Sequence, residues 1–515
     1  MSEAARRDPR SRDPEATADP ASAAIVAVGV AALALGLLLG AAVAGEPVLA
    51  LAAGTVVLVG VAAFARPDTA TLVVIGLLYS NAAVVAVSVH GAPFIVAAAL
   101  PVPLLAPLAY HLLVRRETVV ITPALPFILA YLCIQLVSAF ASNDPRGAAT
   151  EVGVFATQGL ALYLFVTNVV RTPAMLRQVV WTLLLVGAFL GGVSLLQQLT
   201  ATTGNNYLGF GQTDSTFGTG SETLAGEVRQ ARLAGPIGEQ NRYAQIMLML
   251  VPLGVMQFFA EQRLVYRTVV AGATLLAAMG STLGFSRGAY VGFALLIVVM
   301  VILRYIRVRH LAAILVGVLL ITLVIPTVGA RLETLNPIVA VISDEPNDTP
   351  DNSVLSRATE NLAALLVFVD HPMLGVGPGQ FPVYYREYAS RVGLLTKAED
   401  REAHNLYLGI AAEVGLLGSV AFLGGVFVTL RALARARRRW LTHRPDLALT
   451  ATGFSLALMT YLTTGIFLHL SYARYFWLML ALAGAAAFVA LHEPEGTERV
   501  RTPLRAGRLP RTSAT

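Results

Sequence analysis

The chain has 515 residues, 56% of them hydrophobic and only 13% charged, with a formal net charge of +6. That apolar share is more than the core of a water-soluble protein of this length takes up, which excludes a soluble globular or disordered chain. A single cysteine, Cys133, excludes an internal disulfide framework.

A helix that crosses a bilayer needs about 20 mostly apolar residues, and runs of that kind bounded by charge recur along the chain. The first 22 residues are polar and carry four arginines. The apolar run after them is too long for a signal-peptide core and lacks a convincing cleavage site, so it is read as a retained first helix. Spans are predicted near residues 23–44, 48–65, 70–88, 94–114, 122–141, 149–169, 178–199, 240–261, 267–284, 287–303, 310–328, 404–430, 447–469 and 472–491. The expected fold class is all-α, a polytopic transmembrane helical bundle of about 12–14 spans with a large, partly helical extracytoplasmic loop. The organisation that follows is a polar tail (1–22), N-terminal helices (23–119), a central region (120–328) with an outer loop at 200–239, a large outer loop (329–403), C-terminal helices (404–492) and a basic tail (493–515).

With the N-terminus in the cytoplasm, 25 of the 37 Lys and Arg residues fall on inner segments and 12 on outer ones. The positive-inside rule favours that orientation, with both termini cytoplasmic in a bacterial inner membrane. Arg115, Arg116, Arg171, Arg177, Arg263 and the run RALARARRRW (431–440) then lie inside. A basic run beside a span reads as an anchor near anionic lipid, not as a nucleic-acid site. In the larger outer segment, SVLSRATENLAALLVFVD (353–370) has helical apolar spacing after a possible Ser353 cap. HPMLGVGPGQF then breaks it with Pro and Gly before a second helix through 382–392.

Four stretches converge on the outer face: RLAGPIGEQNRYA (232–244), GFSRGAYVGF (284–293), SVLSRATE (353–360) and HNLYLGIAAEVG (404–415). Arg287 sits in a turn between two spans, flanked by Gly284 and Gly288; snorkelling to lipid phosphate is the competing reading. Arg232 and Arg242 flank the start of a span, where backbone N–H groups and the helix dipole favour an anion, although either could cap a loop. Arg357 lies on the loop helix, where a solvated face or an ion pair with Glu360 is the default. Several guanidiniums on one face suit a diphosphate, each offering a planar fork of donors. His404 could take a proton from a hydroxyl, or merely hydrogen-bond at the interface; Asn405, Tyr407 and the acids Glu399, Asp400 and Glu402 beside it favour the first. Glu413, the one acid inside that span, falls about half a turn from His404 on a continuous helix and is not expected to orient it. His371 follows Asp370 without a second histidine at metal-ligand spacing, so neither a metal nor a cofactor is expected.

These motifs resemble the O-antigen ligase and O-antigen polymerase-like family of bacterial multi-pass membrane proteins over residues 120–470. The resemblance is carried by SRGA (286–289), HPMLGVGPGQF (371–381) and AHNLYLGIAAEVGLLG (403–418), and further by SNDPRGA (142–148) and VVRTP (169–173). It implies transfer of a glycan from an undecaprenyl diphosphate carrier to an acceptor hydroxyl on a lipid, glycan or protein. It also implies Arg232, Arg287 and Arg357 as the family's arginines and His404 as its histidine. The fourteen spans depart from the family's usual twelve, and the N-terminal spans carry no motif, which leaves ligase and repeat-unit polymerase both open. A solute or anion transporter is the reading from another class; it would call for ionisable residues or broken helices near the midplane.

Overall fold

A computed structural model describes residues 64–306 except 99 and 222–227, scattered positions from 312 to 323, and 352–494 except 395–398 and 471. Its principal helices are α1 (Pro67–Tyr79), α2 (Ala82–Ser88), α3 (Val96–Val114), α4 (Leu125–Ala141), α5 (Pro145–Val169), α6 (Pro173–Thr200) and α7 (Gln240–Ala260). They continue with α8 (Leu264–Leu283), α9 (Arg287–Ile302), α10 (Asn352–Asp370), α11 (Phe381–Val392), α12 (Leu406–Trp440), α13 (Pro445–Thr464) and α14 (Arg474–His492). Among the described residues, eight helices are long and apolar enough to cross a membrane, or nine if the bent pair α1 and α2 is one span. The chain is an all-α, multi-pass membrane protein.

The spans expected at 23–44, 48–65 and 310–328 lie wholly or mostly outside the described residues. The run at 70–88 bends by 51° between α1 and α2, at Asn81, which is left-handed (φ 60°) and donates from Nδ2 to the Pro236 carbonyl at 2.7 Å. Helices α4 and α9 are apolar but fall short of a full crossing length. Helix α10 begins at Asn352, so Ser353 lies in its first turn and not at its cap.

Short polar residues set where the helices start. Asp144 accepts from Gly147 N at 3.1 Å ahead of Pro145, and Thr172 accepts from Met175 N at 3.1 Å ahead of Pro173. Each satisfies an orphan donor of the first turn, and proline at the first position has no donor to lose. The central helices are α7 and α14, buried on nearly every face, with α12 and α13 packed beside them. Ser281 Oγ donates to the Ala244 carbonyl at 2.8 Å, and Gln245 Nε2 donates to Thr464 Oγ1 at 2.8 Å, tying α8 and α13 to α7.

The segment 200–239, expected as an outer loop, carries a two-stranded antiparallel ribbon of β1 (Gln212–Ser221) and β2 (Val228–Gly235). Leu233 of β2 packs with Met279, Leu283 and Phe285, which lays the ribbon on the turn from α8 to α9. At the opposite end of the bundle, several arginines, Arg171 and Arg177 among those read as orientation markers, are built into the fold. Arg171 meets Glu117 at 3.1 Å, Arg177 meets Glu261 at 2.8 Å, and Arg444 meets Asp446 and Glu493.

Candidate active site

The site begins with a break in α12. A continuous helix from 404 to 430 is expected from the sequence, but at Gly415 the backbone turns to φ 65°, ψ −166°. That conformation is open essentially to glycine alone. The groups freed by the break find partners in the HPMLGVGPGQF segment. Val376 N donates to the Ala412 carbonyl at 3.0 Å and Gly377 N to the Glu413 carbonyl at 2.9 Å, while Leu416 N donates to the Pro372 carbonyl at 2.8 Å and Leu417 N to the Met373 carbonyl at 3.3 Å. Ser138 Oγ of α4 joins the clasp, donating to the Leu374 carbonyl at 2.6 Å. The Glu413 carboxylate accepts from the backbone of Gly379 and Phe381. Two of the sequence motifs are therefore the two halves of one backbone clasp, and Glu413 caps it.

The clasp holds α10 and α11 against the first turns of α12. Ala363, Ala364 and Val367 of α10 share a core with Phe381, Tyr385 and Tyr388 of α11 and with Ala403 and Ala412. Asp370 accepts from Tyr388 Oη at 2.9 Å and Arg391 Nη1 at 3.0 Å, and the Tyr388 bond leads in holding its carboxyl below the usual carboxylate range. His371 packs edge-on against Tyr384.

Against this platform stands His404, with 25% of its side chain exposed. Its Nδ1 lies 2.7 Å from Oε2 of Glu360, a carboxylate with only 1% of its side chain exposed. The two meet at ion-pair distance without the alignment of a linear hydrogen bond. Ser356 Oγ donates to the other Glu360 oxygen at 3.1 Å. On the far side, the His469 ring centroid is 5.9 Å from that of His404. Burial first, then the positive charge of Arg242, hold His469 well below the ordinary histidine range, so it is neutral near pH 7, and its Nδ1 has no partner among the described residues. Burial and the nearby Glu151 raise the Glu402 carboxyl, against the pull of His404 and Arg242.

The arginines divide by task. Arg232 is buried and donates to the carbonyls of Gly284 at 3.4 Å and Phe285 at 3.3 Å and to Asn241 Oδ1 at 3.2 Å. Through these bonds it pins the turn that precedes Arg287. Arg287 is half-buried at the start of α9. Arg242 is 3% exposed, reaches Gln245 Oε1 at 3.4 Å and Glu239 at 3.8 Å, and keeps one buried guanidinium nitrogen, Nη2, without a partner among the described residues. Arg357 is half-buried on α10, three residues before Glu360.

Of the other residues singled out, Asn405 is the cap of α12, its Oδ1 accepting from Tyr407 N at 2.9 Å and Leu408 N at 3.1 Å. Tyr407 Oη donates to the Leu462 carbonyl at 2.9 Å, fastening α12 to α13. Glu360 and His469 are the residues that sequence reasoning missed as neighbours of His404. Glu360 had a signal, a serine four residues earlier on the same helix face; His469 had none.

A search of curated proteins finds no match. Residues 272–423 match the family model Wzy_C, described as O-antigen ligase. The matched stretch takes in Arg287, Arg357, Glu360, the glycine-rich clasp, His404 and the break at Gly415. Over this stretch, under a third of the chain, it is similar to O-antigen ligases, which supports a membrane polysaccharide-assembly function.

Proposed function

We propose that the protein transfers a glycan from an undecaprenyl diphosphate carrier to an acceptor hydroxyl at the outer face of the bacterial cytoplasmic membrane. The observation that carries this reading is a part-exposed His404 that shares its neighbours His469 and Glu402 with a buried arginine, Arg242, which has a donor unsatisfied among the described residues. An unpartnered buried donor is costly, and a ligand oxygen would relieve the cost. Arg242 is therefore the better candidate for the diphosphate than Arg232, whose donors already serve the α8–α9 turn. Arg287, at the N-terminus of α9, and Arg357 approach from the same end of the bundle.

In the reaction, His404 takes the proton of the acceptor hydroxyl as its oxygen attacks the anomeric carbon. The bond from that carbon to the phosphate oxygen breaks with its electron pair passing to the phosphate, inverting the centre. Arg242 and Arg287, with Arg357, stabilise the charge on the leaving diphosphate without a metal. Asn405 and Tyr407 support the site through the geometry of α12, the first as its cap and the second through its bond to the Leu462 carbonyl.

One observation favours a transporter instead, the broken helix at Gly415. The Ala412 and Glu413 carbonyls at that break are, however, already taken up by the backbone N–H groups of Val376 and Gly377. The deciding experiment is transfer of a lipid-diphosphate glycan by protein in nanodiscs, with and without EDTA, comparing wild type with His404→Ala. Transfer that survives EDTA and is lost in His404→Ala supports the proposal. Retention by the variant sinks it, and vesicle uptake of solute without transfer by wild type would move the assignment to the transporter. Product length separates ligation from repeat-unit polymerisation.

A further inference from the structure

We propose that Glu360 is a positioning residue for His404, and that Ser356 in turn fixes Glu360. The inference rests on the reading of His404 as the base. A carboxylate buried to 1% exposure is expensive to remove from water unless it is paired and hydrogen-bonded. Glu360 has one neutral hydrogen bond, from Ser356 at 3.1 Å, and one partner able to carry charge, His404 at 2.7 Å. Ser356 and Glu360 are four residues apart on α10, so they share a helix face. The clasp at Gly415 holds that helix against the start of α12, where His404 precedes the Asn405 cap.

Chemically, a carboxylate at Nδ1 selects the tautomer that carries its proton there and leaves the lone pair on Nε2. The hydroxyl proton is then received at Nε2, and the positive charge formed on the ring sits against Glu360. A negatively charged partner favours this charge in the transition state more than in the resting neutral ring, so its contribution belongs to kcat. The other groups near the ring are neutral His469 before α14, which does not favour a cation, and Glu402 on its own segment, and Arg242 of α7 acts on both of these. Among the described residues Glu360 is the carboxylate at ion-pair distance from His404.

A purely structural ion pair would predict otherwise: its loss would lower thermal stability and activity together, with no change in the ring. The test uses full-length protein in nanodiscs and a lipid-diphosphate glycan donor, with Glu360→Gln, Glu360→Asp, Glu360→Ala, Ser356→Ala and His404→Ala. Glu360→Gln, which keeps shape and removes charge, is expected to lower kcat on the order of 100-fold at nearly unchanged KM. Glu360→Asp is expected to recover part of that loss. Nitrogen-15 spectra should show the His404 proton on Nδ1 in wild type and a mixture of tautomers in Glu360→Ala. Wild-type kcat in Glu360→Gln, with His404→Ala inactive, overturns this inference alone; activity in His404→Ala overturns the base reading with it. If Glu360→Gln does not fold, Ser356→Ala decides: a lower kcat at constant KM supports the assignment, and an unchanged kcat refutes it.

Discussion

The break at Gly415 is the feature on which the site's geometry depends, and Gly415→Ala tests it with one methyl group. The native φ of 65° with ψ of −166° lies where a side chain costs about 1–3 kcal/mol in backbone strain. An alanine Cβ there would also run into the carbonyl of Met373 and the nitrogen of Leu374. The nearest clasp bonds, Leu416 N to Pro372 O and Leu417 N to Met373 O, would have to open. At about 1 kcal/mol net for each hydrogen bond, that adds about 2 kcal/mol. The expected destabilisation is about 3–5 kcal/mol, large for a single methyl. The alternative open to the variant is to close the helix, re-pairing Leu416 and Leu417 with Ala412 and Glu413 and expelling residues 372–377. Either way transfer activity falls, and a protease probe should cut near 371–381 before the wild type is cut. Denaturant unfolding of the purified protein measures the first effect and limited proteolysis the second. Unchanged stability, proteolysis and kcat in Gly415→Ala would refute the view that the clasp needs glycine at the break.

Arg232→Lys replaces a fork that serves two carbonyls and Asn241 with a single ammonium, so it should cost about 1–3 kcal/mol of stability and displace Arg287; equal midpoints in denaturant would show the fork to be dispensable. For Glu402, burial and Glu151 raise the folded-state carboxyl above its unfolded value. The folded state then binds the proton more tightly, so this contribution is complete below the ordinary carboxylate range and is lost as pH rises through the raised value. His469 slopes the opposite way across its own window, since its depressed value makes the folded state weaker as pH falls below the ordinary histidine range. The readout is therefore the difference in melting temperature between wild type and Glu402→Gln as a function of pH. It should favour the variant increasingly toward neutral pH, and a flat difference would contradict the assignment.

The spans were legible because a bilayer demands about 20 apolar residues, and the core of a soluble domain rarely calls for a run that long. The loop helices at 353–370 and 382–392 were legible from the same helical periodicity, which α10 and α11 follow. The break in α12 was not, because Ala411 to Gly418, Glu413 apart, is as apolar as the turns around it and hydropathy carries no φ or ψ. Gly375, Gly377 and Gly415 supplied the only hint, and a glycine in a span is ordinarily a packing residue. The arginines show the same limit in reverse. Arg232 and Arg242 look alike in sequence, both beside the start of α7, yet one is spent on the carbonyls of the α8–α9 turn and the other keeps a donor in hand. That difference arises from the ribbon of β1 and β2, which lays β2 on that turn and which the composition of 200–239 did not reveal.

A histidine at the start of a long apolar helix is ordinarily an interfacial anchor, free to swing with the side chains around it. Irregular backbone at membrane depth is tolerated only where protein or a cavity covers it. Here the cover is the HPMLGVGPGQF segment, and the same bonds that satisfy the break fasten α10 to α12. Once α10 is fastened, Glu360 and Ser356 lie against the first turn of α12, and the ring of His404 is held between that carboxylate and His469. The glycine motif and the histidine motif therefore depend on each other physically: without the clasp the histidine loses its carboxylate, and without the break the clasp has nothing to hold. A substitution in 372–377 that removes one crossing bond should consequently weaken transfer even though it lies outside the shell of His404.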